Sequence, residues 1–154
     1  MEIALELRDR VLEGYWLITL GDAQQALGRF EEALTSYHRA ATLHRRLGDR
    51  SREALAWQGT GQTYRRLGRD AKAAAFHRHA AAVFRELKDG RHEALALDGL
   101  AGALLGDDPG QARRLWADAL PLLAEYRDLR AVRLRDRIER QADGRLPPPG
   151  PGSA

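Results

Sequence analysis

The sequence predicts an all-α protein, a solenoid of antiparallel helix pairs closed at its C-terminal end by one capping helix. Three observations carry that prediction. The chain lines up with itself at a period of 40 residues: Leu7, Asp9 and Glu13 fall on Leu47, Asp49 and Glu53, then on Leu87, Asp89 and Glu93. Within each unit the apolar spacing is helical, since Leu17, Leu20, Gly21, Gln24 and Leu27 follow i, i+3, i+4, i+7 and i+10, an order repeated by Trp57, Thr60, Gly61, Tyr64 and Leu67. Glycine then breaks each unit near its middle, at Gly28, Gly68 and Gly106, as a helix-ending residue should. Period-two strand patterns are missing, and DAKAAAFHRHAAAVF is a strong helix former.

Taken in order, residues 1–10 sit in the register of the end of a second helix, because Glu6-Leu7-Arg8-Asp9-Arg10 aligns with Arg46-Leu47-Gly48-Asp49-Arg50. They are expected to be a half repeat that leaves Ile3, Leu7, Val11 and Leu12 partly exposed, an edge suited to self-association. Three full units follow at about 11–48, 49–88 and 89–128, each a helix, a short turn and a helix, with Asp49 placed to cap the helix after it. The third unit is one residue short, Ala73 to Ala112 being 39, and the deletion falls in the GDDPG turn.

Small residues recur where the helices of a pair must cross: Gly21 with Ala33 and Ala40, Gly61 with Ala73 and Ala80, Ala101 with Ala112 and Ala119. Phe30, Tyr37, Trp57, Tyr64 and Trp116 are at core spacing. One such pair cannot cover its own apolar face, so the pairs stack into one array over residues 1–142. Its last helix, 129–142, presents Ala131, Leu134 and Ile138 on one side and Arg130, Arg133, Arg137 and Arg140 on the other, with Asp136 and Glu139 as neighbouring partners. The segment 143–154, rich in proline and glycine, has too few apolar groups to pack and is expected to be disordered.

Composition narrows the function. The 154 residues, 44% hydrophobic, suffice for one core, and 25 basic against 22 acidic residues leave a net charge of only +3. A near absence of lysine beside abundant arginine, alanine and glycine points to a GC-rich genome. Cysteine is absent, which excludes disulfides and thiolate metal sites, and no apolar run is long enough to span a membrane, so the chain reads as a cytoplasmic protein with no membrane partner.

Chemistry is not visible. His77 and His79 are two apart on a helix and point about 200° apart, so they cannot share an ion. His38, His44 and His92 have no companions at ligand spacing, and Asp107 and Asp108 are turn neighbours rather than a positioned acid and base. The glycines of GLAGALLG lie on a helix, not in a phosphate-binding loop. No catalytic residue, cofactor or metal is therefore expected, and the chain reads as no enzyme.

The spacing in WQGTGQTY, followed by Ala73 and Ala80, resembles the tetratricopeptide repeat. Leu17, Leu20, Gly21, Leu27, Gly28, Phe30, Ala33, Tyr37 and Ala40 carry the resemblance in the first unit, and Leu97, Leu100, Leu104, Ala112, Trp116 and Ala119 in the third; Gln24, Thr60, His77 and Ala101 depart from the pattern. The 40-residue period, with a Leu-x-Asp junction for the closing proline, resembles the long variety found in Pins-type adaptors and in actinomycete antibiotic regulators and signalling ATPases. The resemblance implies a right-handed superhelix whose concave groove binds a peptide. Carried onto this chain, that groove holds Ile18, Asp22, Gln25, Gln58, Gln62, Arg65, Arg66, Asp98 and Leu105. The Lys and Asn residues of carboxylate-clamp repeats are replaced by Ile18, Asp22, Gln58 and Gln62, which argues against a chaperone-tail ligand.

The resulting expectation is an interaction module binding a protein or peptide segment, with Arg65 and Arg66 facing its acidic side chains and another domain of the same parent protein as one candidate partner. A second reading is a sensory or autoinhibitory arm of a multidomain ATPase or transcription regulator. A third places nucleic acid on Arg130 to Arg140.

Overall fold

The computed structural model describes residues 1–144; the expected tail lies outside the described residues from 145 onward. Seven helices follow one another: α1 Glu2–Ala26, α2 Phe30–Arg46, α3 Arg50–Arg66, α4 Asp70–Glu86, α5 Gly90–Leu104, α6 Pro109–Leu123 and α7 Leu129–Ala142. Helix starts at 30, 70 and 109, and at 50, 90 and 129, reproduce the 40-residue period and its single deletion.

The turns repeat because their chemistry repeats. Gly28, Gly48 and Gly68 take φ of 78°, 72° and 74°, a region that L side chains resist. Each turn closes with the paired bonds of a Schellman motif: Gly28 N donates to Gln25 O and Arg29 N to Gln24 O, and Gly48 N to Arg45 O and Asp49 N to His44 O. Lys88 holds the same place at φ 56° without being glycine. Gly106 does not: α5 ends instead with Asp107 N and Asp108 N both on Leu104 O, and Pro109 opens α6. Asp49, Asp89, Asp108 and Asp128 cap α3, α5, α6 and α7 through the backbone N–H three residues on.

The start of the chain departs from the half repeat read from the sequence. α1 runs unbroken through Arg8-Asp9, where the register places a turn, so residues 1–10 and the helix of the first pair are one element. Arg8 stands where Gly48 does, and a left-handed turn there would cost its side chain about 1–2 kcal/mol, with no packed neighbour to offset it.

Each helix packs on its neighbours in sequence, while α1 touches α3, α3 touches α5 and α5 touches α7; among the described residues α2, α4 and α6 do not touch one another. The first helices of successive pairs thus line one side of the array. Ala33, Ala40, Ala73, Ala80, Ala112 and Ala119 are fully buried at the crossings. In the larger gaps lies one ring per pair, Tyr37, His77 and Trp116, all buried. Tyr37 is clasped between Gly21 of α1 and Gly59 of α3, and His77 between Gly61 of α3 and Gly99 of α5, where any Cβ would strike the ring. Phe30, Trp57 and Tyr64, expected in the core, are only half-buried: Trp57 lies 4.0 Å from the His79 ring and Tyr64 5.7 Å from Phe76.

Candidate functional site

The candidate site is the row on α1, α3 and α5, and the structure divides its nine residues by what they already hold. The Tyr37 hydroxyl donates to Asp22 Oδ1 at 2.5 Å. His77 Nδ1 lies 2.8 Å from Gln58 Oε1, while Gln58 Nε2 donates to the Leu95 carbonyl at 3.1 Å. Trp116 Nε1 donates to Asp98 Oδ1 at 2.9 Å, and Arg137 of α7 donates to the other Asp98 oxygen. A ring buried in the gap between three helices must satisfy its polar tip, and the row supplies the acceptor each time. Gln25 extends the pattern by donating to Thr63 Oγ1 at 2.8 Å and to the Gly59 carbonyl, tying α1 to α3.

These ties perturb the rings. Burial raises the Tyr37 phenol far above its ordinary range, helped by its bond to Asp22. Burial lowers His77 from 6.5 to about 4, the positive charge of Arg65 adding to the effect. His77 is therefore neutral at pH 7, with its Nδ1 proton on Gln58 and its Nε2 buried without a partner.

Ile18, Gln62, Arg65, Arg66 and Leu105 remain less committed. Ile18 and Leu105 are half-buried against the cores of their pairs, and Gln62 is exposed. The two arginines diverge, as adjacent residues on a helix must. Arg65 reaches α5, its guanidinium over Gly102, where the missing Cβ leaves room for it. Arg66 lies back over the Phe30 ring of α2, 5.3 Å from its centroid. The row can thus present cations at two places, separated by the width of α3.

Sequence reasoning missed the ties, although the residue types signalled them: Tyr, His and Trp at one repeat position each carry a donor that burial obliges to find an acceptor. It also missed Phe84, fully buried.

The arginine stripe of α7 is partly engaged. Arg137 pairs with Asp98, and Arg135, just off the stripe, donates to the Leu123 and Tyr126 carbonyls at 2.8 Å, closing the end of α6. Among the described residues no cluster of three His, Asp or Glu side chains is placed for a metal ion, and no helix is long and apolar enough to cross a membrane.

Residues 12–86, just under half of the chain, match the model of the tetratricopeptide repeat family. Among solved structures, the N-terminal domain of stress-induced protein-1 (STI-1) from C. elegans is similar, with a TM-score of 0.60 at 22% identity, covering 86% of this chain and 96% of that one. No curated protein matches the chain. The fold is an all-α solenoid of the tetratricopeptide type.

Proposed function

We propose that the chain is a protein-interaction module without catalytic chemistry, and that it docks an acidic segment of a protein partner along the row on α1, α3 and α5. The observation that carries this reading is the division of the row. Asp22, Gln25, Gln58 and Asp98 hold the helices in register, leaving Gln62, Arg65 and Arg66 to face a ligand on a surface already fixed. A preorganised surface avoids part of the ordering cost of binding. Arginine suits the partner's carboxylates because its fork can donate two bonds to one of them. The same row would serve a sensory arm, its occupant then being another domain of the same polypeptide. The helix starts at 30, 70 and 109 support the long 40-residue variety of the repeat.

The nucleic-acid reading is disfavoured, since Arg137 is already paired with Asp98 and Arg140 folds back on its own helix.

A random peptide-display selection tests the proposal. The wild-type chain should enrich sequences rich in Asp and Glu, and R66E should bind the enriched peptides at least about tenfold more weakly, a loss of about 1.4 kcal/mol. Enrichment without acidic bias, or unchanged affinity in a folded R65E/R66E chain, would remove the assignment.

A further inference from the structure

The leading face of α1 differs from that of every internal first helix. Trp16 stands in the register of Ala56 and Ala96, and it is 70% exposed where they are 0%. Ala56 packs on Ala40 and Ala41 of α2, so that position is where a preceding second helix presses closest. A further helix pair stacked in the array's own register would drive its backbone into the indole. α7 tolerates Arg135 at this place only because that flexible chain bends to the end of α6. The α1 face is built for something else.

The side of α1 that carries Trp16 is arranged about it as a palindrome. Leu5, Asp9, Leu12, Trp16, Leu20, Ala23 and Leu27 follow at intervals of 4, 3, 4, 4, 3 and 4, which keeps them on one side of a straight helix. Leu5, Leu12, Leu20 and Leu27 are all exposed. Turned end for end, the stripe matches itself: Leu5 meets Leu27, Leu12 meets Leu20, Trp16 meets Trp16, and Asp9 meets Ala23, small enough to leave the carboxylate wet. Charge selects the same orientation. Glu2, Glu6, Arg8, Asp9, Arg10 and Glu13 crowd the first half of α1, and the second half carries only Asp22. A parallel pair would set each charge against its own copy, whereas an antiparallel pair sets Glu6, Arg8, Asp9 and Glu13 against uncharged residues and Arg10 against the opposite charge of Asp22.

We infer that the α1 face is a two-fold interface on which a second copy of this chain packs antiparallel about Trp16. Such an interface is self-complementary, as two-fold symmetry requires. Ile18, Asp22 and Gln25 lie on the other side of α1, so each protomer keeps its own row free.

Sedimentation of the full chain from about 1 to about 300 μM tests this. The expected species is twice 17.2 kDa, or 34.4 kDa. W16E and the double variant L12E/L20E should weaken self-association at least about 100-fold with unchanged helicity. A monomer across the range, or a W16E chain that dimerises like the wild type, would overturn the inference. Because the chain has no cysteine, orientation is read by cross-linking: L5C chains mixed with L27C chains should form a disulfide-linked pair, and L5C alone should not. Efficient linkage of L5C to itself would overturn the antiparallel arrangement.

Discussion

Arg45 Nε donates to Glu53 Oε1 at 2.6 Å across the turn from α2 to α3, and 40 residues on Arg85 Nε donates to Glu93 Oε1 at 2.9 Å across the turn from α4 to α5. The carboxylates are buried and the arginines exposed, so each pair brings a charged acceptor under cover and satisfies it from outside. This is the physical reason that LHRRLGDRSREALAW and VFRELKDGRHEALAL are nearly the same stretch: each encodes one junction between stacked pairs, with its turn, cap and ion pair.

The two sides of that pair should not cost the same. R45M strands a buried carboxylate and should destabilise by about 2 kcal/mol, whereas E53Q leaves an arginine in water and an amide oxygen still able to accept, and should cost under about 1 kcal/mol. Urea unfolding of the two variants checks the order; equal losses would mean that Glu53 is not effectively desolvated.

His77 makes stability depend on pH. Its folded-state value of about 4 lies below the ordinary 6.5, so the unfolded chain takes up the proton first. Stability from this group is complete above about pH 6.5, falls as pH drops toward 4 and is flat below, the full loss being about 3 kcal/mol. H77Y should flatten that part of the profile: a six-membered ring already fits between Gly21 and Gly59 in the first pair, and the hydroxyl would fall near Gln62, the counterpart of Asp22. Chemical denaturation from pH 4 to 8 for both chains reads the difference.

His44 is buried with neither ring nitrogen hydrogen-bonded, in the register that Phe84 and Leu123 occupy in the next pairs. H44F should therefore raise stability by about 1–2 kcal/mol. The ring has room, since Phe84 packs in one core with Ala54, whereas the counterpart of Ala54 beside His44 is Gly14. A lower melting temperature would show that His44 makes a polar contact in solution.

Gly59 and Gly48 separate two uses of glycine. G59A places a methyl against the Tyr37 ring, which Gly21 blocks from behind, and should cost at least about 2–3 kcal/mol. At Gly48 a Cβ meets nothing, so G48A costs only the strain of its φ of 72°, about 1 kcal/mol, a strain that Lys88 bears in the wild-type chain. Melting curves of both variants should rank them in that order.

The helices, their turns and the small-residue crossings were legible because local chemistry writes them: an apolar period, a glycine, a capping aspartate. The unbroken α1 was not, since Lys88 shows that a non-glycine residue can make the very turn that Arg8 declines, and packing decides between them. A helical wheel places Asp22, Gln58 and Asp98 on the row, but it cannot show that a ring 15 to 19 residues further on reaches back beneath them. The wheel likewise makes a pair of Arg65 and Arg66, though one turns toward α5 and the other toward α2.

Amide chemical-shift mapping with an enriched acidic peptide addresses the docking row most directly. Shifts should concentrate at Gln62, Arg65 and Arg66, extend to Ile18 and Leu105, and spare α4 and α6. Shifts confined to α2, α4 and α6, or to the arginines of α7, would place the ligand elsewhere and end the case for the row as the docking surface.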